Sequence, residues 1–189
     1  MALTAGGVLA HLDSYRPEGG EEAVSLARIR EFLGGSPSPF GRGNPEGHIT
    51  GSAVVARPGG EAFLLVYHRR LGRWLQPGGY TDPANGSVFA TAAREAREET
   101  GLRSFQAPLG ERLLDLDVHA IPAREGEPAH WHFDLRYLLT SEEASPAALE
   151  DEAERASWFS LEEALLAGVD RSLERALRKA RACLAPSER

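Results

Sequence analysis

One helix constrains this chain more than any other feature. Residues 87–102 read SVFATAAREAREETGL. Ser87 has the chemistry of an N-cap, Ala90, Ala92, Ala93 and Ala96 are strong helix formers, and Gly101 supplies the stop. At roughly 100° per residue, Val88, Phe89, Ala92, Ala93 and Ala96 line one side of the cylinder. Glu95, Glu98 and Glu99, spaced i, i+3 and i+4, crowd the adjoining side. Small residues let such a helix pack close to its neighbour. The spacing therefore predicts three carboxylates at the edge of a buried stripe.

Like charges at this spacing repel unless a cation neutralises them. Hard oxygen donors in a partly hydrated cluster suit Mg²⁺ or Mn²⁺, which keep several waters and bridge phosphates. On spacing alone, a solvated acidic face paired with Arg94 and Arg97 is an equal reading. The residues ahead of the helix are turn chemistry: Gly78-Gly79, Asp82-Pro83, then Asn85-Gly86-Ser87.

Taken whole, residues 79–102 resemble the Nudix box. Gly79 opens it, and Arg94-Glu95-Ala96-Arg97-Glu98-Glu99-Thr100-Gly101-Leu102 closes it without a mismatch. The opening half departs from the pattern by one inserted residue and by Asn85 or Gly86 where its first Glu would stand. The resemblance extends to roughly residues 48–168. It implies that Glu95, Glu98, Glu99 and the Gly79 carbonyl bind the divalent metal, Mg²⁺ or Mn²⁺, that Arg94 orients a glutamate, and that the reaction is hydrolysis of a diphosphate linked to another group. A diphosphate is polyanionic and the chain carries formal net charge −7, so bound cations must invert the local field before substrate approaches.

Composition narrows the partners. An acidic chain argues against duplex nucleic acid, which wants a basic face. No apolar run reaches membrane-span length and no signal-peptide pattern opens the chain, so a cytoplasmic protein is expected. Cys183 is the only cysteine, which excludes an intramolecular disulfide framework; its helical setting predicts a partly buried thiol.

Residues 1–40 read as an N-terminal helical segment, with one stretch around Leu9 and Leu12 and a second from Val24 to Leu33. This hairpin would cap the core, form a homodimer contact or wall the substrate pocket. A Gly-, Pro- and Ser-rich loop follows, in which Phe40 and Arg42 are the residues able to make a strong ligand contact. Residues 45–189 form the main domain. Residues 48–56 and 62–68 read as strands, and 71–75 leads into the box.

Residues 113–119 alternate, with Asp115, Asp117 and His119 on one face. Residues 130–137 alternate too: His130, His132, Asp134 and Arg136 face one way, Trp131, Phe133, Leu135 and Tyr137 the other. Pro122, Gly126 and Pro128 between them predict a hairpin. With His119 opposite His130, Asp117 falls opposite His132; a register shift of two keeps the same face. The patch reads as a pocket wall in which Asp117, His119, His130, His132 and Asp134 meet substrate. A solvent-facing sheet is the plainer alternative.

Residues 141–152 are acidic. Several Nudix enzymes place a catalytic base in such a loop, which makes Glu152 the first candidate, with Glu150 and Asp151 beside it and Glu95 next. Residues 155–160 read as a strand, Ser160 to Glu163 as a capping box, and Asp170 as the cap of a last helix.

The expected fold is α/β: a Nudix fold with a mixed β-sheet between helices and an N-terminal helical addition. The expected function is Mg²⁺-dependent cleavage of a nucleoside diphosphate linked to another moiety. The alternative is a Nudix-fold module that senses a nucleotide without cleaving it; such modules usually lose box glutamates, and all three metal-binding ones stand here. No subclass marker fits: Asp117 and His119 occupy the places where ADP-ribose and diadenosine polyphosphate enzymes tend to carry Pro and Tyr.

Overall fold

The computed structural model describes residues 3–69, 71–123, 126, 128–144, 146 and 153–185, with backbone alone for Ala153 and Glu154. In chain order the elements are α1 (Ala5–Leu12), α2 (Gly20–Gly35), β1 (Gly47–Ala56), β2 (Phe63–His68), β3 (Arg73–Leu75), β4 (Gly78–Tyr80), α3 (Val88–Thr100), β5 (Leu113–Ile121), β6 (His130–Thr140), β7 (Ala153–Phe159), α4 (Leu161–Leu166) and α5 (Arg171–Leu184).

β1 is the axis of the sheet. It pairs in parallel with β6 along its whole length, from Gly47↔Trp131 to Ala56↔Thr140. It also pairs antiparallel with β4 at Thr50↔Tyr80 and Ser52↔Gly78, then with β2 at Val55↔Leu64. β2 pairs with β3 and β7, and β6 with β5. The sheet is thus mixed, and β1 is buried at every position because helices cover both faces.

Alternation along β1 divides the core in two. Ile49, Ala53 and Val55 join α1, α2 and α3 through Val8, Leu12, Ile29, Leu33, Val88, Ala92 and Ala96. Val54 and Ala56 join α4 and α5 through Leu161, Ala164, Leu173, Ala176, Leu177 and Ala180. Ahead of Val54 this second face turns polar, with His48, Thr50 and Ser52, all buried. That polar end meets the histidines and aspartate of β6.

The caps form as the sequence predicts. Ser87 Oγ accepts from Ala90 N, Gly101 takes a left-handed φ of 69°, Ser160 and Glu163 form a reciprocal capping box, and Asp170 caps α5. Two expectations are corrected. Gly78-Gly79, predicted as a turn, forms β4: a Cβ on Gly78 would stand 2.9 Å from the Cα of Ser52, so glycine is what lets this strand lie against β1. Cys183 is exposed, not partly buried, because it falls on the outer side of α5. Among the described residues no helix is long and apolar enough to cross a membrane.

Candidate active site

The carboxylate helix α3 is held close to β1 by a missing side chain. A Cβ on Gly51 would lie 2.6 Å from Val88 O and 3.3 Å from Ala92 N. This approach buries Val88, Ala92 and Ala96 and leaves Glu95, on the adjoining side, only 8% exposed. Glu98 and Glu99 follow one turn on, half-buried. Glu95 lies against Gly79 of β4, whose Cβ would fall 2.5 Å from the Glu95 carboxyl carbon. Arg94 bridges the group: Nη2 donates to Glu95 Oε1 at 2.6 Å and to Tyr80 O at 3.4 Å, and Nη1 donates to Glu98 Oε2. Burial would lower the Arg94 pKa, but the Glu95 and Glu98 carboxylates outweigh it and hold the guanidinium charged.

β5 and β6 form the predicted hairpin, in the register shifted by two: Asp117↔Asp134 and His119↔His132. The polar residues share one face, but most of that face is buried. Asp134, 1% exposed, accepts from Thr50 Oγ1 at 2.9 Å, Ser52 Oγ at 2.7 Å, Gln76 Nε2 at 3.3 Å and Arg136 Nε at 3.1 Å. Arg136, 2% exposed, also reaches Asp115, Asp117 and the hydroxyl of Ser172. Burial opposes its charge, but the three surrounding aspartates raise its pKa. Asp115 is further clamped by Arg175, at 2.8 and 2.9 Å. The aspartates are therefore a neutralised internal network, not a solvated face; buried charges persist only when paired.

The rim is more open. His119 is half-buried, its Nδ1 2.9 Å from Asp117 Oδ2. Burial pushes the Asp117 carboxyl up, but the His119 bond and the Arg136 charge hold it well below the usual range. His132 packs its ring against His119 and Tyr80, at centroid distances of 5.4 Å each. His130 lies beneath, its Nε2 3.3 Å from His132 Nε2, so one ring donates to the other. His48 touches His130, His132 and Tyr80. A strip of rings thus runs from Tyr80, beside Gly79, across the sheet to His119.

Sequence reasoning missed His48, Thr50, Ser52, Gln76 and Tyr80. The signal for the first three was present: they alternate with Ile49, Gly51 and Ala53 as the hairpin residues do. Which strand they would neighbour was not legible. Glu150, Asp151 and Glu152 lie outside the described residues.

The donor set suits a hard divalent cation. Glu95, Glu98 and Glu99 offer oxygen only, and the bare Gly79 backbone forms a cradle against Glu95 that any Cβ would fill. Among the described residues no three donors converge at ligand distance; Glu98 is instead turned onto Arg94, the cation at hand.

A family model described as the NUDIX domain matches residues 47–180. The chain belongs to the Nudix family. Nudix hydrolases use divalent metals, in keeping with this carboxylate set. The fold resembles a MutT Nudix hydrolase from Burkholderia pseudomallei (26% identity, 71% of this chain and 98% of that one, TM-score 0.50). It also resembles the Nudix domain of Shewanella oneidensis NrtR in complex with ADP ribose (20%, 82% and 97%, TM-score 0.55) and a C. elegans Ap4A hydrolase (20%, 72% and 96%, TM-score 0.51). No curated protein matches the sequence. By family and fold the chain is a Nudix hydrolase.

Proposed function

We propose that this Nudix hydrolase cleaves the diphosphate linkage of a nucleoside diphosphate joined to another moiety, with Mg²⁺ or Mn²⁺ held by Glu95, Glu98, Glu99 and the Gly79 carbonyl. One observation carries the reading: the intact glutamate helix packs so that Glu95 is buried against a glycine backbone and tied to Glu98 through Arg94. Such a cation, when bound, neutralises phosphoryl charge and makes a water more acidic. Arg94 fixes the Glu95 carboxylate. His119 and His132 line the rim, with His130 and Asp117 behind them, and are assigned to the group beyond the diphosphate. Asp134 holds Thr50, Ser52 and Gln76 in place beneath it. Glu152 is the proposed general base, since the box carboxylates are committed to metal; Glu95 is the next candidate. The names of two similar folds, with Ap4A and ADP ribose, agree with a nucleotide joined through phosphates.

A panel of nucleoside diphosphate compounds with Mg²⁺, read by phosphate release after phosphatase coupling, tests this. The wild-type chain turns over at least one member. Glu98→Gln and Glu99→Gln keep the fold and lose well over tenfold in turnover, since metal catalysis supplies several kcal/mol. A loss under about tenfold at saturating Mg²⁺ counts against the site. Binding of a panel member without turnover would make the chain a sensor instead.

A further inference from the structure

Arg42 stands at the edge of this site, and the box does not account for it. Its guanidinium lies over the Tyr80 ring, 4.3 Å from the centroid. Tyr80 follows Gly79 and presents its carbonyl to Arg94. Arg42 is exposed, and among the described residues it has no carboxylate partner.

The loop that carries it is fixed on both sides. Ile49 N donates to Pro39 O at 2.8 Å, and Gly41 N donates to Thr81 O at 3.0 Å. Asn44 is buried, donates to Ser36 Oγ at 2.8 Å and accepts from Glu46 N at 2.9 Å. Gly41, at φ 72°, supplies the left-handed residue the turn requires. So many main-chain contacts on one short loop place the Arg42 Cα firmly while leaving its side chain at the surface.

Two guanidinium groups of the site are committed. Arg94 is held by Glu95 and Glu98, and Arg136 by Asp115, Asp117 and Asp134. A diphosphate approaching an acidic chain meets in Arg42 a cationic side chain that, among the described residues, no carboxylate neutralises. A stacked, exposed guanidinium is weakly held, whereas a planar fork facing phosphate oxygens makes paired charge-assisted hydrogen bonds.

We propose that Arg42 is a substrate-binding residue of the N-terminal loop, parked on Tyr80 and engaging the diphosphate of the substrate when it arrives. This rests on the hydrolase reading above and deepens it: the loop between the N-terminal helices and β1 becomes part of the phosphate site.

The test compares wild type, Arg42→Ala and Arg42→Lys in two ways. Steady-state kinetics are measured on the panel substrate turned over fastest, and calorimetry on Mg²⁺ alone and on ADP and inorganic pyrophosphate with Mg²⁺. Arg42→Ala raises KM and weakens pyrophosphate binding by about 10–100-fold, the range of a lost charged hydrogen bond. Its kcat moves far less, the pattern of lost uniform binding. Mg²⁺ affinity and thermal midpoint stay at the wild-type values. Arg42→Lys, with charge but no fork, recovers part of the loss. Unchanged pyrophosphate binding in Arg42→Ala, with or without a lower thermal midpoint, makes Arg42 a loop latch only and overturns the inference. A wild type that binds neither anion and turns over no panel member overturns the hydrolase reading, and this inference with it.

Discussion

Gly79 shows how one absent side chain shapes the site. Its Cα faces the buried Glu95 carboxylate so closely that a Cβ would stand 2.5 Å from the carboxyl carbon. Glu95 cannot yield freely, because Arg94 holds it and the helix behind it is packed against β1. Gly79→Ala is therefore expected to retain the far-ultraviolet circular dichroism of the wild type while losing at least about tenfold in both Mg²⁺ affinity and turnover, since a small misplacement of a ligand is costly. Unchanged calorimetric Mg²⁺ binding would show that the cradle is not needed. At this scale the sequence was informative where chemistry is local. Glu95, Glu98 and Glu99 follow from helical spacing, and the Arg94 pairing was readable with them. Tyr80 and His48 were not, because their contacts with His132 depend on β4 and β6 flanking β1.

Among elements, the contact of α3 with β1 does most to set the carboxylates. Gly51 admits the first turn of the helix, and a methyl group there would press on Val88 O at 2.6 Å. Backbone cannot step aside as a side-chain tip can. Gly51→Ala should cost about 1–3 kcal/mol, the usual penalty of overpacking, read as a lower urea midpoint with an unchanged slope. Turnover should fall as well, because the helix moves as a unit and carries all three glutamates with it. Equal stability and activity would mean that the close approach of α3 to β1 does not set the carboxylates. The strands with apolar alternation were legible, and so was the helical pair at the N-terminus. β4 was not: Gly-Gly-Tyr has no alternation of its own and becomes a strand only through its partner. The hairpin face was legible as a set of residues, but not as a buried one, since its counter-charges Arg175 and Lys179 arrive from α5.

Across the whole molecule, α2 and α5 meet in a buried ion pair. Lys179 Nζ donates to Glu22 Oε1 at 2.6 Å and to Tyr15 OH at 2.9 Å, with Glu22 fully buried. Burial pushes the Glu22 carboxyl up, but the Lys179 and Tyr15 hydrogen bonds win and keep it low. Removing one partner leaves a buried charge uncompensated, which typically costs 3–5 kcal/mol. Lys179→Met should show a loss of about that size in chemical denaturation, and the double variant with Glu22→Gln should regain most of it. If the single variant is as stable as wild type, the pair is not what docks the N-terminal helices. Nothing in residues 15–22 announces this pairing; it joins positions 157 residues apart, and only the folded topology brings them together.

The parallel pairing of β1 with β6 also sets an order of events in time. Thr50 and its partner Asp134 are 84 residues apart. At synthesis rates of roughly 5–20 residues per second, β1 waits about 4–17 s for the strand that will cover its longer edge. β4 and α3 emerge first, so the groups that meet at Gly51 and Gly79 are all on hand before β6 exists. The glutamate helix can thus be mounted on its strand before the histidine-bearing hairpin of β5 and β6 has been made.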